Sequence, residues 1–316
     1  YKRQVRMNAT TSPGAASGVA PSIELRDVRR KLGSTHALDG ATAHLPGGRV
    51  YGLIGRNGAG KTTLLRTIAG QLRAKGEVLI GGQPVFDNTA VLNGLILSGP
   101  DVPWPADIKV KQLLNVAAAR WGTWDHRYAD HLCEVFEIDT RKPLSKLSRG
   151  QKSLVSIVIG LAAQCPVTLL DEPYLGLDVQ NRELFYKLLL QDVERNPRTF
   201  ILSTHHVDDA ARILDSVVLL DKGRITGVGT LDSITERIAI LSGSAAAVDA
   251  TLGEVGAAGS VLNDATSSGL RRLVLDTHRL GVGSVQDLAA RIEGSGVRVT
   301  RADLEQAVLA LTGREF

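Results

Sequence analysis

Residues 55–62, with the sequence GRNGAGKT, match the pattern G-x-x-x-x-G-K-[ST] and constrain the fold of this chain more than any other segment. The short apolar run Arg49–Ile54 precedes the glycines, and a helical pattern follows from Lys61 to Ala69. Glycines let backbone N–H groups approach phosphate oxygens closely, and the following helix directs its N-terminal dipole at them. Strand, glycine-rich loop and helix in this order predict a nucleotide-binding site.

Within this loop, two side chains have predicted roles. Lys61 is expected to reach the β- and γ-phosphates, and Thr62 to offer its hydroxyl to Mg²⁺. The predicted nucleotide contacts of the whole segment are Gly55, Arg56, Asn57, Gly58, Ala59, Gly60, Lys61, Thr62 and Thr63.

A second apolar strand, Val167–Leu170, ends in the two carboxylates Asp171 and Glu172. A buried strand would fix Asp171 beside the metal, where it holds Mg²⁺ directly or through water. Glu172 would point elsewhere and polarise the attacking water, and such a general base contributes about 10²–10⁴ in rate. A solvated acidic turn explains this pair equally well when it is taken alone, but its occurrence with Lys61 favours catalysis.

His205 follows a third apolar strand, Phe200–Ser203. A histidine at that strand end can hold the γ-phosphate and the catalytic water. Single histidines are more often structural, but the position of His205 after the two preceding motifs favours catalysis, and His206 would face the other way. Glu172 and His205 are therefore the predicted catalytic residues.

The distribution of strands and helices indicates an α/β fold with a parallel sheet. Further strands are predicted at Glu77–Ile80, Gly94–Ser98, Thr199–Ser203 and Ser216–Leu220, and helices at Arg149–Ala163, Gln180–Arg195 and Val207–Leu214. The stretch Lys109–Glu137 differs, because its pattern predicts two helices with no strand between them, interrupted at Trp121–Trp124. It is expected to be a helical insertion between the two halves of the sheet.

The charge distribution argues against a nucleic-acid partner. The chain has 37 Lys and Arg against 33 Asp and Glu, but seven of the basic and only two of the acidic residues occur by Lys31. The remaining residues are therefore slightly acidic, whereas a nucleic-acid surface needs clustered Lys and Arg on the folded domain.

Cysteine usage and hydropathy predict a cytoplasmic chain. Cys133 and Cys165 lie in apolar or helical patterns without a CxxC or Cys/His neighbour, so we expect buried thiols in a reducing compartment. No apolar run approaches the ~18 residues that span a bilayer, and no signal peptide is expected. Any role at a membrane is expected to come through a partner.

Five motifs in one order resemble the ABC-transporter ATPase family: the phosphate loop, Leu147–Gln151 (LSRGQ), Asp171-Glu172, Leu177-Asp178 and Ser203–His205. More narrowly, the chain is similar to ATPases that serve ABC-2-type bacterial exporters, including drug- and antibiotic-response systems. The resemblance covers about Ile23 to Gly229. It implies ATP hydrolysis with ATP and Mg²⁺ as cofactors, and a P-loop NTPase core of mostly parallel strands with an antiparallel β subdomain and a helical subdomain.

By this resemblance, Ser148 and Gly150, with Gln151 beside them, bind the γ-phosphate of ATP held by a partner subunit. A hydroxyl, a bare backbone and a helix N-terminus all suit a phosphate. Each chain already has its own phosphate loop, so this second cradle is useful only in trans. Asp178 would belong to the loop that communicates across the dimer.

Shifts in composition are expected to divide the chain into three parts. Residues 1–21 form a disordered tail, 22–231 the ATPase domain with its helical subdomain at about 99–150, and 232–316 a small α+β accessory domain. The accessory domain either regulates the protein or stabilises its dimer.

Two positions depart from the family pattern. Leu32 occupies the place of an aromatic residue that stacks on adenine, so adenine is expected to pack on Leu32 or on His36. The segment after Gly94–Ser98 lacks the family's glutamine, which contacts Mg²⁺ and links hydrolysis to the permease. Asp101 is predicted to replace it, so the predicted metal ligands are Thr62, Asp171 and Asp101. Alternatively, the prolines around Asp101 only stiffen a linker.

Three tryptophans, Trp104, Trp121 and Trp124, bracket the helical insertion, where family members receive a helix of the membrane subunit. Exposed aromatic residues suit such an interface, but the same residues would equally well fill the core of the subdomain.

The expected function is that of an ATPase subunit that dimerises around two ATP molecules and drives an ABC-2-type exporter. It would form a homodimer or pair with a related ATPase subunit, and bind an integral membrane permease at the inner face of the cell membrane. The alternative is a soluble ATP-driven clamp that acts on DNA or ribosomes. The single cassette, the lack of long coiled-coil insertions and the lack of basic excess argue against a clamp. Intact Glu172 and His205 argue against a non-hydrolysing interaction module.

Overall fold

The structure, a computed structural model, describes residues 20–105, 107–204 and 210–312. Almost all of the predicted tail, His205 and the start of the helix predicted at Val207–Leu214 lie outside these ranges. The strands are β1 Ile23–Leu32, β2 Thr35–Leu45, β3 Val50–Ile54, β4 Lys75–Ile80, β5 Gln83–Pro84, β6 Leu95–Ser98, β7 Val167–Leu170, β8 Thr199–Thr204, β9 Ser216–Asp221, β10 Arg224–Gly229, β11 Ile238–Ser244, β12 Val261–Ser267, β13 Leu270–Asp276 and β14 Arg298–Arg301. The helices are α1 Lys61–Ile68, α2 Thr89–Asn93, α3 Val110–Arg120, α4 His126–Val135, α5 Arg149–Ala162, α6 Val179–Arg195, α7 Leu231–Glu236, α8 Ala245–Val255, α9 Val285–Arg291 and α10 Leu304–Leu311.

The central sheet confirms the predicted α/β class. Its strand order is β10-β9-β3-β8-β7-β6, with β10 antiparallel and the others parallel. Strands β3, β7 and β8 are buried along their whole length, as continuous apolar runs in a parallel sheet should be. Their carboxyl ends meet at one edge, which brings the phosphate loop, Asp171 and Ser203 together.

A second, antiparallel sheet, β2-β1-β4-β5, covers one side of this core and forms the expected antiparallel β subdomain. Its buried residues, such as Leu25 and Leu38, share a cluster with Leu53 of β3 and Leu64 of α1. Strand β2 was not predicted from the sequence. Its pairing with β1 has several register shifts, and these interrupt the apolar–polar alternation that marks a strand.

The helical insertion is confirmed as α3 and α4. Trp104, Trp121 and Trp124 are half-buried and pack against the insertion's own apolar cluster. The indole N–H of Trp121 donates to the carbonyl of Leu95 at 3.1 Å. These contacts favour the core role of the three tryptophans over a wholly exposed aromatic surface.

The C-terminal part forms a third sheet, β12-β13-β11-β14, with α8, α9 and α10 around it. Strand β11 and helix α8 were not predicted, because small residues dominate this stretch and give little periodicity. Ile240 of β11 and Val308 of α10 belong to the same buried cluster as Leu219 of β9, so this part packs directly on the ATPase core.

Cys133 and Cys165 are free and buried, as expected. Burial raises the pKa of the Cys133 thiol to about 11 and that of Cys165 to about 12. Both thiols are therefore protonated and unreactive at neutral pH. Among the described helices, none has the length and apolar character to cross a bilayer.

Candidate nucleotide-binding and catalytic site

The phosphate loop leaves β3 and enters α1 through positions where only glycine fits. A Cβ on Gly55 would lie 2.3 Å from the carbonyl oxygen of Leu220, and one on Gly60 would lie 2.4 Å from that of Ala37. Gly60 also has φ +106, which L side chains rarely adopt. The backbone can therefore turn tightly and present its N–H groups, and the loop lines one wall of a 700 Å³ cavity.

Lys61 is buried at the start of α1, with 7% of its side chain exposed. Its Nζ donates to the carbonyl of Gly55 at 2.8 Å and lies 3.6 Å from Oε1 of Glu172. The ammonium thus has oxygen partners where the phosphates are expected. An incoming γ-phosphate would replace these partners and separate Lys61 from Glu172.

Ser203 holds the two carboxylate residues at the end of β7. Its hydroxyl donates to Oδ1 of Asp171 at 2.6 Å and accepts from the backbone N–H of Glu172 at 2.8 Å. The N–H of Asp171 in turn donates to the carbonyl of Ser98 at 2.9 Å. Glu172 has φ +47, a backbone conformation that non-glycine residues adopt rarely. Ser203 therefore positions Asp171 and Glu172. In the sequence it was recognised only as part of the motif Ser203–His205, without this role.

Tyr174 contacts the end of β8 at Ser203. Its hydroxyl donates to the carbonyl of Ser203 at 3.2 Å, and its ring packs edge-on against Tyr186. Burial raises the pKa of the Tyr174 phenol well above its ordinary value, so the group stays protonated and can donate. The aromatic residue two positions after Glu172 is the only sequence signal for this contact.

Thr62 and Asp171 line one cavity of 460 Å³ together with Glu172 and Asp101. A hydroxyl and carboxylates are the hard oxygen ligands that Mg²⁺ prefers, so these residues fit the predicted metal. Within the described ranges, no three His, Cys, Asp or Glu side chains are grouped closely enough to hold a metal by themselves. Such a site would be completed by phosphate oxygens and water, as is usual for Mg²⁺.

Asp101 lies at the mouth of the site but has a different partner from the predicted one. Its Oδ2 is 3.3 Å from Nη2 of Arg149, the third residue of LSRGQ. Both side chains are largely exposed, and such surface pairs stabilise by only about 0–1 kcal/mol. The pair is weak enough to open when a metal or a phosphate arrives, and the ligand role of Asp101 stays a prediction.

The LSRGQ segment forms the start of α5. The hydroxyl of Ser148 accepts from the N–H of Gln151 at 3.2 Å, and the side chain of Gln151 accepts from the N–H of Ser148 at 3.0 Å. This capping box fixes the helix N-terminus and leaves the Ser148 O–H free to donate. A Cβ on Gly150 would lie 2.3 Å from the carbonyl of Gly176, so glycine is required for contact with the loop before Asp178.

Asp178 begins α6 in the same way. Its carboxylate accepts from the N–H of Asn181 at 2.8 Å and is exposed. Its position close to the start of α5 is compatible with the predicted communication role, which remains a prediction.

The adenine end of the cavity lies on the β1–β2 hairpin. Leu32 is 46% exposed, pairs in register with Thr35, and lines the same cavity as Lys61. His36 lines a separate cleft. The structure therefore favours Leu32 over His36 as the surface for adenine.

Comparison with known proteins agrees with this geometry. A family model described as ABC transporter matches residues 38–175. The ABC transporter ATP-binding protein YtrB of Bacillus subtilis (strain 168) is 29% identical over 215 residues, covering 68% of this chain and 74% of that protein. The aliphatic sulfonates import ATP-binding protein SsuB of Corynebacterium glutamicum is 34% identical over 224 residues, covering 69% and 88%. A solved ATP-binding subunit of an ABC transporter is 27% identical, with a TM-score of 0.60, covering 67% of this chain and 91% of that one.

Proposed function

We propose a specific role for this chain, which belongs to the ATP-binding proteins of ABC transporters. It dimerises around two ATP molecules. The dimer drives an ABC-2-type permease that exports its substrate. The chain is an ATPase, and its family hydrolyses ATP to power transport. The observation that carries the proposal is the convergence of Lys61, Asp171 and Glu172 at the carboxyl edge of the central sheet.

The residues around this edge divide the work of hydrolysis. Lys61 and the loop N–H groups bind the β- and γ-phosphates, and Thr62 and Asp171 would hold Mg²⁺, which would neutralise charge on the phosphates. Once phosphate binds Lys61, the ammonium no longer lies beside the carboxylate of Glu172, which accepts a proton from the attacking water. Ser203 keeps Asp171 and Glu172 in fixed relation during this step.

The dimer is supported by the start of α5. Ser148 is exposed, its hydroxyl proton is uncommitted in the capping box, and the helix N-terminus is open to an anion. These groups are suited to the γ-phosphate held by Lys61 of the partner subunit. ATP would then join two chains, and hydrolysis would separate them.

Binding to a permease is supported by a groove of 220 Å³ between the segment at residues 99–104, Leu113 of α3 and the first turns of α5. Its mostly apolar lining, with Asp101 and Lys152 as the charged groups, suits a short helix of a membrane subunit. This contact would hold the chain at the cytoplasmic face of the membrane.

Affinity purification from detergent-solubilised membranes tests the partner class. The chain should copurify with a polytopic membrane protein, and Lys152→Glu, in the groove, should weaken this association. Lys111→Glu, an exposed change on α3 outside the groove, is the matched control and should not. Copurification with ribosomes or DNA in place of a membrane protein would favour the soluble clamp.

The direction of transport needs its own experiment, because SsuB, one of the relatives, is named as an import protein. Coexpression with the copurified permease in a drug-sensitive host should raise the tolerated concentration of an exported drug. Glu172→Gln should abolish this protection. If the pair instead increases cellular uptake of a solute in an ATP-dependent manner, the chain serves an importer.

A further inference from the structure

A second cleft, of 510 Å³, adjoins the β1–β2 hairpin and is separate from the nucleotide cavity. It is lined by Arg29, Arg30, Lys31, His36, Arg73, Ala74 and Lys75. Five of these seven residues are Arg or Lys, and no acidic side chain is among the described residues that line the cleft. Arg29, Arg30 and Lys31 come from the basic N-terminal stretch, and two further cations come from more than forty residues along the chain.

Strand pairing brings basic side chains next to each other in this cleft. Arg29 of β1 is the register partner of Lys75 of β4, and Lys31 of β1 is the partner of His36 of β2. The register of the sheet therefore fixes which side chains share the cleft.

Among the described residues, only Arg29 of the Arg and Lys side chains in the cleft is paired with a carboxylate. Arg29 pairs with Asp27 at 2.7 Å and with Asp39 at 2.9 Å. Across the described part of the chain, no carboxylate lies within 4.0 Å of the cationic groups of Arg30, Lys31, Arg73 or Lys75.

The arginine side chains are also held in place. Nη1 of Arg30 donates to the carbonyl of Arg73 at 2.6 Å, and the guanidinium of Arg73 lies 5.2 Å from the centre of the Phe86 ring. Nε of Arg30 is buried without a hydrogen-bond partner. An unsatisfied buried donor marks a place where a water or an ion completes the structure.

We propose that this cleft binds a compact anion with two or more phosphate groups. Guanidinium groups match phosphate oxygens in pairs, and lysines add point charges around them. Four unbalanced cations in one cleft exceed what a monovalent anion can neutralise. The phosphates come either from a free oligophosphate or from a phospholipid headgroup that carries two phosphates, and both present the same chemistry to the cleft.

Binding of a free oligophosphate is tested by calorimetric titration of the full chain with tripolyphosphate. The chain carries Lys61→Ala, which removes the affinity of the phosphate loop, and Mg²⁺ is omitted. Because this background has no ATPase function, the result is independent of the proposed function. Arg73→Gln with Lys75→Gln should raise the Kd at least about 10-fold, since charged hydrogen bonds are lost. Arg127→Gln with Lys111→Gln changes the charge equally on exposed helices and should leave the Kd unchanged.

The lipid source is tested with the same variants by flotation on vesicles that contain cardiolipin, whose headgroup carries two phosphates, with phosphatidylcholine vesicles as the neutral reference. Reduced flotation of the cleft variant alone identifies a headgroup as the ligand. Equal tripolyphosphate binding and equal flotation by the cleft and control variants would overturn the proposal. Cleft-dependent binding of a short oligonucleotide without any binding of tripolyphosphate would also overturn it.

Discussion

The two ends of the nucleotide cavity are built differently. At the phosphate end, Lys61 is 7% exposed, and Ser203 holds Asp171 and Glu172 through two hydrogen bonds. At the adenine end, Leu32 is 46% exposed on a hairpin whose register shifts several times. The geometry of the phosphate end is thus fixed by buried parallel strands, whereas an exposed apolar side chain lines the predicted adenine end.

The difference follows from where each end lies in the fold. The ends of β3, β7 and β8 continue strands that are paired on both sides and buried on both faces, so their geometry is set by the whole core. The tip of the β1–β2 hairpin has few buried apolar contacts, and such regions open at low free-energy cost. We therefore expect substitutions at the phosphate end to change turnover, and those at the adenine end to change affinity.

Glu172→Gln is expected to have the largest effect. Loss of the general base should lower turnover by about 10²–10⁴ while Lys61 still binds ATP. The variant should therefore accumulate as an ATP-bound dimer, which size-exclusion chromatography with and without ATP detects. Glu194→Gln, on the exposed face of α6, is the control and should behave as the unmodified chain. A variant at position 172 that remains monomeric with ATP would contradict the mechanism.

Ser203→Ala tests whether the phosphate end depends on its supporting hydroxyl. It leaves the N–H of Glu172 without its partner and frees Asp171, so the free energy of unfolding should fall by about 1–3 kcal/mol. The Mg²⁺ concentration for half-maximal turnover should rise about 10- to 100-fold, as for other residues that orient metal ligands.

The control for this prediction is Ser98→Ala, which removes a buried hydroxyl that donates to the carbonyl of Ser156 at 2.8 Å. It should lower stability without changing the Mg²⁺ requirement. If Ser203→Ala and Ser98→Ala have the same Mg²⁺ requirement, Ser203 is merely structural.

The same contrast explains which features could be predicted from the sequence. β3, β7 and α5 were predicted within one or two residues, because continuous apolar runs, glycines and a capping serine mark them directly. β2 was missed because its register shifts hide the alternation. The bridging role of Ser203 depends on β7 and β8 lying side by side, which no local pattern reveals. The Asp101–Arg149 pair joins residues 48 positions apart in the chain and was invisible for the same reason.

Asp101→Ala tests an exposed side chain that lies at the mouth of the otherwise buried phosphate end. If Asp101 replaces the missing glutamine as an Mg²⁺ ligand, the Mg²⁺ requirement should rise about 10-fold, with a smaller loss of turnover. Arg149→Gln removes the partner but keeps the carboxylate, so it should leave the Mg²⁺ requirement unchanged or lower it. Unchanged Mg²⁺ dependence and turnover in Asp101→Ala would reject the ligand role and leave the pair as a surface contact.

Leu32→Tyr has the smallest expected effect and tests the adenine end. Stacking of a base on an aromatic ring stabilises by about 1–3 kcal/mol relative to alanine, and leucine already supplies part of this. The KM for ATP should therefore fall about 5-fold, with kcat unchanged, because the phosphate end is not altered. His36→Tyr places the same ring on the neighbouring hairpin position, which lines the other cleft, and should not change the KM. A lower KM in His36→Tyr but not in Leu32→Tyr would place adenine on His36. The adenine end would then lie in the basic cleft and not in the cavity that Lys61 lines.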